Sequence, residues 1–154
     1  MEAGDPLQRL QAWQRQVELP VAALSALAAH GSPAAAAALL PAFDGALAAH
    51  RQHLQQDLVP EMIEAMAGSD PVCIRELAEA LARQLQELQQ QWRAVRGALR
   101  DGRPVAAADW LALAGGCEAL QTREQRELLP MAARLLDDAA LGRIAQAVAA
   151  APPA

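Results

Sequence analysis

Two segments of this chain share a pattern that a long helix tolerates only with a local distortion. They are residues 49–62 (AHRQHLQQDLVPEM) and residues 119–131 (ALQTREQRELLPM), and each carries a leucine, an apolar residue and a proline in succession. An acid, Asp57 in the first segment and Glu127 in the second, stands directly before that leucine. A proline within a helix removes a backbone hydrogen bond and kinks the helix. The repeated pattern therefore predicts one helical hairpin used twice, with a kink in each copy.

The composition favours an all-α fold. Hydrophobic residues make up 53% of the 154 residues and are mostly alanine and leucine, whereas aromatic residues make up only 3%. Helix formers dominate and β-branched residues are rare. Each of the 13 basic residues is arginine, which is typical of GC-rich bacterial genomes, and the net charge is −5. A negative chain without a basic face argues against nucleic-acid binding.

The sequence carries no pattern that indicates a membrane or a secretory route. The N-terminal stretch has acids at Glu2 and Asp5 and lacks the basic and apolar pattern of a signal peptide. The longest uncharged apolar run, near residues 33–43, is broken by proline and is too short to span a bilayer. Cys73 and Cys117 are far apart and form no CxxC motif, so we expect reduced thiols in the core of a cytoplasmic protein.

Helix signals divide the chain into four long helices and a short fifth helix. The first begins at Asp5 and Pro6 and contains Pro20, which predicts either a kink or two helices in tandem. The later helices are expected over about residues 33 or 41 to 67, 71 to 101, 109 to 136 and 138 to 151, with Asp137 and Asp138 as the cap of the last helix. Short turns between long helices predict an up-down-up-down four-helix bundle in a single domain of residues 1–151. We expect residues 152–154 to form a disordered tail.

Each long helix carries one polar residue on its predicted inner stripe. These residues are Gln14, His50, Gln84 and Glu124, and the stripe of the fourth helix continues beyond Glu124 to Met131 and Leu135. Gln14 and His50 each lie 18 residues from Ser32, and Gln84 lies 18 residues from Gly102. At about 1.5 Å per residue, each lies roughly 27 Å from its turn, and Glu124 lies one helical turn further from Gly102. The four side chains are therefore predicted to converge on one layer in the middle of the bundle, where bundle proteins build their metal sites.

Together with the two leucine-x-proline segments and the short last helix, this layer resembles the hemerythrin-like (HHE cation-binding) family over nearly the whole chain. The resemblance implies two irons, held by a histidine from each of four helices and by a carboxylate one turn after the histidine on the second and fourth helices. By register, the histidine positions here are Gln14, His50, Gln84 and Leu120, and the carboxylate positions are Leu54 and Glu124. Because only His50 and Glu124 match, the resemblance supports the fold and argues against di-iron chemistry.

Two interpretations of the polar layer remain open from the sequence. In the first, the two glutamines, His50 and Glu124 satisfy each other as a buried hydrogen-bonded cluster, because an unpaired buried polar group costs about 1–3 kcal/mol. In the second, His50 and Glu124 form a rebuilt mononuclear site for zinc or iron, with His53, Asp57 and Glu127 as further candidate ligands. The first interpretation implies no cofactor, and the second implies a metal.

Three further features are interpreted as structural. His30 precedes a Gly-Ser-Pro turn, where a histidine is favoured by the dipole at the end of a helix. Gly115 and Gly116 indicate a close approach of a neighbouring helix, or a kink. The glutamine-rich residues 84–91 are typical of a solvated helix face.

No nucleophile–base pair or glycine-rich phosphate loop indicates an enzyme. The favoured function is a non-enzymatic interaction, sensory or scaffolding protein with an unknown protein partner, as a monomer or homodimer, without a membrane or nucleic-acid partner. One alternative is a metal-binding protein, with a reduced di-iron or mononuclear site, that serves in oxygen, iron or redox handling. A second alternative is a binder of a small apolar ligand in the bundle core, in the space that iron would occupy.

Overall fold

The computed structural model describes residues 4–151, and these residues form helices joined by short turns, with no strand among them. The elements are α1 (Pro6–Gln16), α2 (Val21–His30), α3 (Pro33–Gln52), the π-helical segment π1 (His53–Leu58), α4 (Val59–Ala65), α5 (Val72–Arg100), α6 (Ala107–Arg123), the π-helical segment π2 (Glu124–Leu128), α7 (Leu129–Leu135) and α8 (Asp138–Ala150). The all-α prediction is confirmed. The predicted tail at 152–154 lies outside the described residues.

The predicted break at Pro20 takes the form of two helices in tandem. Helix α1 ends at Gln16, and α2 begins at Val21, directly after the proline. Proline lacks the N–H that would continue the hydrogen-bond ladder of α1. Residues 17–20 therefore leave the helical path, and the carbonyl of Val17 and the N–H of Leu19 need partners from other elements.

The two repeated prolines produce π-helical turns. The N–H of Val59 bonds the carbonyl of Leu54, and the N–H of Leu129 bonds the carbonyl of Glu124, so each bond spans five residues. In a regular helix, a proline ring clashes with the carbonyl four residues earlier. The wider turn relieves that clash directly before Pro60 and Pro130, where the sequence predicts kinks.

The second π-helical segment changes which residues face the core. The stripe predicted for the fourth helix continues to Met131 and Leu135, but both side chains are only partly buried. The buried positions are instead Leu129, Ala132 and Leu136. A π-helical turn contains one residue more than an α-helical turn, so the positions after it rotate about the helix axis. The prediction for Met131 and Leu135 was wrong for this reason.

Helices α3 and α4 contact α5 in reverse order along the chain, so they run in the opposite direction to α5. Phe43 of α3 packs on Trp92 of α5 with ring centroids 4.4 Å apart, while α4, later in the chain, packs on the earlier part of α5. Helix α2 packs on α6, and α1 packs on α7 and α8. Gly116 of α6 lies so close to Leu88 of α5 that an added Cβ would stand 2.6 Å from Leu88 Cδ2. The predicted close helix approach is thus found at Gly116 and not at Gly115, whose face is open.

Helix α8 closes one side of this arrangement. Its N-cap is Asp137, whose side chain accepts a hydrogen bond from the N–H of Ala140, as the sequence predicts. Leu141 and Ile144 are buried against the other helices. The guanidinium of Arg143 donates two hydrogen bonds, of 2.7 and 2.8 Å, to the carboxylate of Glu61 on α4.

One hydrophobic core runs through the described residues. It extends from Leu10 on α1 to Ile144 on α8 and includes side chains from every helix. Cys117 is completely buried, and burial raises the pKa of its thiol to about 12, which makes it unreactive. Cys73 is exposed, so the prediction that it is a core residue was wrong. No helix among residues 4–151 is long and apolar enough to cross a membrane.

Candidate functional site: a buried polar cluster

The centre of the molecule contains a histidine whose two ring nitrogens are both engaged. His50 is completely buried, with Nδ1 2.7 Å from the carbonyl oxygen of Val17 and Nε2 2.7 Å from Oε2 of Glu124. A carbonyl oxygen only accepts, so Nδ1 must carry a proton and donate it. Because the pKa of His50 is raised, Nε2 is protonated as well and donates to the Glu124 carboxylate, which makes the pair a charge-assisted contact.

The surroundings of His50 raise its pKa above the ordinary value of 6.5. Burial is the largest single influence and by itself lowers the pKa. The hydrogen bond and the negative charge of Glu124 act in the opposite direction, as does the hydrogen bond to the Val17 carbonyl, and together they outweigh burial. His50 therefore keeps its proton more firmly in the folded protein than in the unfolded chain.

Gln14 supplies the hydrogen bond to the second carboxylate oxygen of Glu124. Its Nε2 donates to Oε1 of Glu124 and to the carbonyl oxygen of Gln121, both at 3.1 Å. Its Oε1 accepts a hydrogen bond of 3.0 Å from Nε2 of Gln125. Both carboxylate oxygens of Glu124 are thus hydrogen-bonded, although the side chain is completely buried. We refer to Gln14, His50 and Glu124 as the polar cluster.

The polar cluster satisfies the backbone where α1 and α2 separate. His50 binds the free carbonyl of Val17, and Oε1 of Gln121 accepts a hydrogen bond of 2.8 Å from the N–H of Leu19. Sequence reasoning did not identify Gln121 or Gln125 as part of this site. The only sequence signal was the break at Pro20, which indicates that backbone groups need partners without naming them.

Gln84 does not belong to the polar cluster. Its side chain is partly exposed at the edge of α5, where Oε1 lies 3.4 Å from Nη1 of Arg123, and the neighbouring Leu85 is buried in the core instead. Successive residues of a helix point about 100° apart. The stripe predicted for this helix was one residue off at this point, which placed the surface residue Gln84 in the core. The prediction that Gln84 joins the layer was wrong.

The further candidate ligands have other partners. Nδ1 of His53 lies 2.6 Å from Oδ2 of Asp57 within π1, and the exposed Glu127 accepts a 2.6 Å hydrogen bond from Nε of Arg123. Among residues 4–151, no group of three or more His, Cys, Asp and Glu side chains could hold a metal ion.

The residues at the iron-ligand positions do not fit the iron of hemerythrin-like proteins. Two of those positions hold Leu54 and Leu120, which are buried and offer no donor atom. At the matching positions, His50 and Glu124 bind each other directly, at a separation that leaves no room for an ion between them.

The two repeated segments complement each other at this site. His50 in the first segment corresponds to Leu120 in the second, and Leu54 corresponds to Glu124. Each segment thus contributes one of the two polar residues, and the two meet across the core. Comparisons with protein-family models, with curated proteins and with solved structures found no match.

Proposed function

We infer that this chain is a hemerythrin-like, up-down-up-down four-helix bundle that works without iron, as a non-enzymatic interaction, sensory or scaffolding protein of the cytoplasm. Three observations support this topology: the tandem α1 and α2, the repeated π-helical segments before Pro60 and Pro130, and the antiparallel contacts of α3 and α4 with α5. The partner in this proposal is another protein, and the chain is a monomer or homodimer.

The observation that carries the proposal is the direct 2.7 Å contact between Nε2 of His50 and Oε2 of Glu124. A metal ion needs a neutral imidazole with a free lone pair and a carboxylate oxygen facing the ion. Here a proton occupies the place between the two groups, and the other imidazole nitrogen is held by Val17. The imidazolium of His50 thus supplies the positive charge beside Glu124 that an iron ion would otherwise supply.

The enclosure of the polar cluster favours a structural role over catalysis. His50 and Glu124 are completely buried, so neither side chain can meet a substrate. Their hydrogen bonds connect the break between α1 and α2 to α3 and to π2. The cluster thus holds four elements in one arrangement, and any biological recognition takes place at the surface.

Of the two alternatives, the metal-binding protein is disfavoured by the same contact. Either metal site, reduced di-iron or mononuclear zinc, needs His50 and Glu124 to separate and His53, Asp57 or Glu127 to leave their present partners. The core ligand is disfavoured because Leu54 and Leu120 fill the layer beside the polar cluster.

Elemental analysis of protein purified without chelators and without a nickel column tests the proposal. We expect no stoichiometric iron or zinc and no absorption from an oxo-bridged di-iron centre. Two irons per chain, or one zinc per chain that is lost in His50→Leu, would contradict the proposal. The exposed Glu127→Gln is the matched control, because it removes a candidate ligand outside the polar cluster.

A further inference from the structure

A groove of about 680 Å³ opens where the turn between α2 and α3 meets the turn between α5 and α6. It lies at the end of the helices, away from the polar cluster. Its walls are mainly apolar or small side chains, including Ala36 and Leu40 of α3, Leu99 of α5 and Trp110 of α6. Its size lies within the range of roughly 300–1,000 Å³ that small-molecule sites occupy.

The local sequence explains why this space stays open. The neighbouring ends of α2 and α3 are rich in alanine, which leaves a gap that larger side chains would fill. Gly31 lies in the turn between them, and a Cβ there would stand 2.4 Å from the carbonyl oxygen of Leu27. Gly102 in the opposite turn has a φ of 69°, which favours glycine. Both turns beside the groove therefore have a backbone conformation or a close contact that favours glycine.

The ionisable residues that line the groove are both basic in type. They are His30 at the end of α2 and Arg103 in the turn after α5, and no aspartate or glutamate is among the described residues of the lining. Arg103 contacts Asp101 at 3.1 Å, but both side chains are well exposed. Such an exposed pair contributes little to stability, so a second carboxylate at Arg103 displaces little binding energy. An apolar groove with a cation at its rim is complementary to a molecule with an aliphatic chain and an anionic head.

We propose that this groove binds a free medium-chain fatty acid. The aliphatic chain lies along the alanine and leucine side chains and Trp110, and the carboxylate is bound by Arg103, with His30 beside it. A free molecule is favoured over a membrane lipid because membrane surfaces attract proteins through clusters of basic residues. This groove offers one arginine and one histidine, in a chain whose net charge is −5. The proposal is independent of the metal content of the protein.

Isothermal titration calorimetry with decanoate below its micelle concentration tests this site. We expect one molecule to bind per chain, with a change in the fluorescence of the buried Trp110. Decyltrimethylammonium, which has an alkyl chain of nearly the same length and the opposite charge, is expected to bind at least about tenfold more weakly. Absence of decanoate binding, or equal binding of the two amphiphiles, would overturn the proposal.

Two variants locate the site. Arg103→Gln removes the cation from an exposed turn, and we expect about three- to tenfold weaker decanoate binding with an unchanged melting temperature. Arg75→Gln is the matched control, because Arg75 is exposed at the other end of α5, roughly 38 Å from Arg100. Ala37→Trp fills the groove from an exposed position and is expected to abolish binding.

Three outcomes count against the fatty-acid site. They are wild-type affinity in both groove variants, an equal loss in Arg75→Gln, and association with anionic phospholipid vesicles in place of monomeric decanoate. Circular dichroism melts of the three variants establish that a loss of binding does not come from unfolding. A result on iron or zinc leaves this test unaffected, so failure of one proposal can be told from failure of the other.

Discussion

His50 and Glu124 are ionisable side chains that the fold removes completely from water. Burying two charges is costly, and the contact between them offsets that cost only when the remaining donors and acceptors are also satisfied. Here Val17 and Gln14 supply those partners. Replacing one residue of the pair should therefore have a different effect on stability from replacing both.

We expect His50→Leu to destabilise the protein more than the double change His50→Leu with Glu124→Leu. The single change leaves a buried carboxylate without its cation, which costs about 3–5 kcal/mol, whereas the double change replaces the pair with apolar groups. Urea unfolding of the wild type, both single variants and the double variant measures the coupling free energy. Glu127→Gln is the exposed control, with an expected change within about 0.5 kcal/mol. Additive effects of the two core changes would show that the residues do not interact.

The raised pKa of His50 predicts a pH dependence of stability. The folded protein binds the His50 proton more tightly than the unfolded chain, whose histidine pKa is about 6.5. The stabilisation is therefore complete below about pH 6.5 and is lost as the pH rises through the folded-state pKa. We expect the free energy of unfolding to decrease as the pH rises above about 6.5. The double variant should lose this decrease; a decrease of the same size in that variant would assign it to other groups.

At the scale of elements, the repeated segments share more than their prolines. His53 and Asp57 in π1 correspond to Arg123, the last residue of α6, and Glu127 in π2. Each pair is in contact at 2.6 Å. The repeat therefore extends to a basic side chain and an acid four residues apart, in contact across the distorted turn of each segment.

Gly115 and Gly116 on α6 lead to a prediction about the packing of α6 on α5. A helical glycine costs roughly 0.5–1 kcal/mol relative to alanine, so Gly115→Ala should stabilise the protein by about that amount, since its face is open. Gly116→Ala would place its Cβ 2.6 Å from Leu88, and overpacking costs about 1–3 kcal/mol. Thermal melts compare the two variants directly. A gain in Gly116→Ala equal to that in Gly115→Ala would show that α5 and α6 are not closely packed there.

For the whole molecule, the single hydrophobic core predicts folding without a metal. In proteins whose fold depends on a metal, the free energy of metal binding is part of the free energy of folding. Here Leu54 and Leu120 contribute apolar burial at positions where the resemblance to hemerythrin-like proteins would place ligands. We expect a chelator such as EDTA to leave the melting temperature unchanged. A large decrease, reversed by added zinc or iron, would support a rebuilt metal site instead.

The helices and their breaks were determined by the sequence itself. Pro20 separated α1 from α2, Asp137 capped α8, and the repeated prolines placed distortions at equivalent points of two helices. These features depend on the geometry of the residue and its immediate neighbours in the chain. The inward positions of His50 and Glu124 were also predictable, because both lie on long stripes of buried leucines.

Only the tertiary structure decided which polar side chains meet. Gln84 turned to the surface because packing placed Leu85 inward, and the wider turn at π2 moved the buried face away from Met131. Gln121 belongs to the site because the non-helical segment 17–20, between α1 and α2, lies beside α6. The rotation of a helix about its axis depends on the helices that pack against it, and one residue of rotation is about 100°. A pattern within a single helix therefore predicts its inner face, whereas the contacts between faces depend on the assembled core.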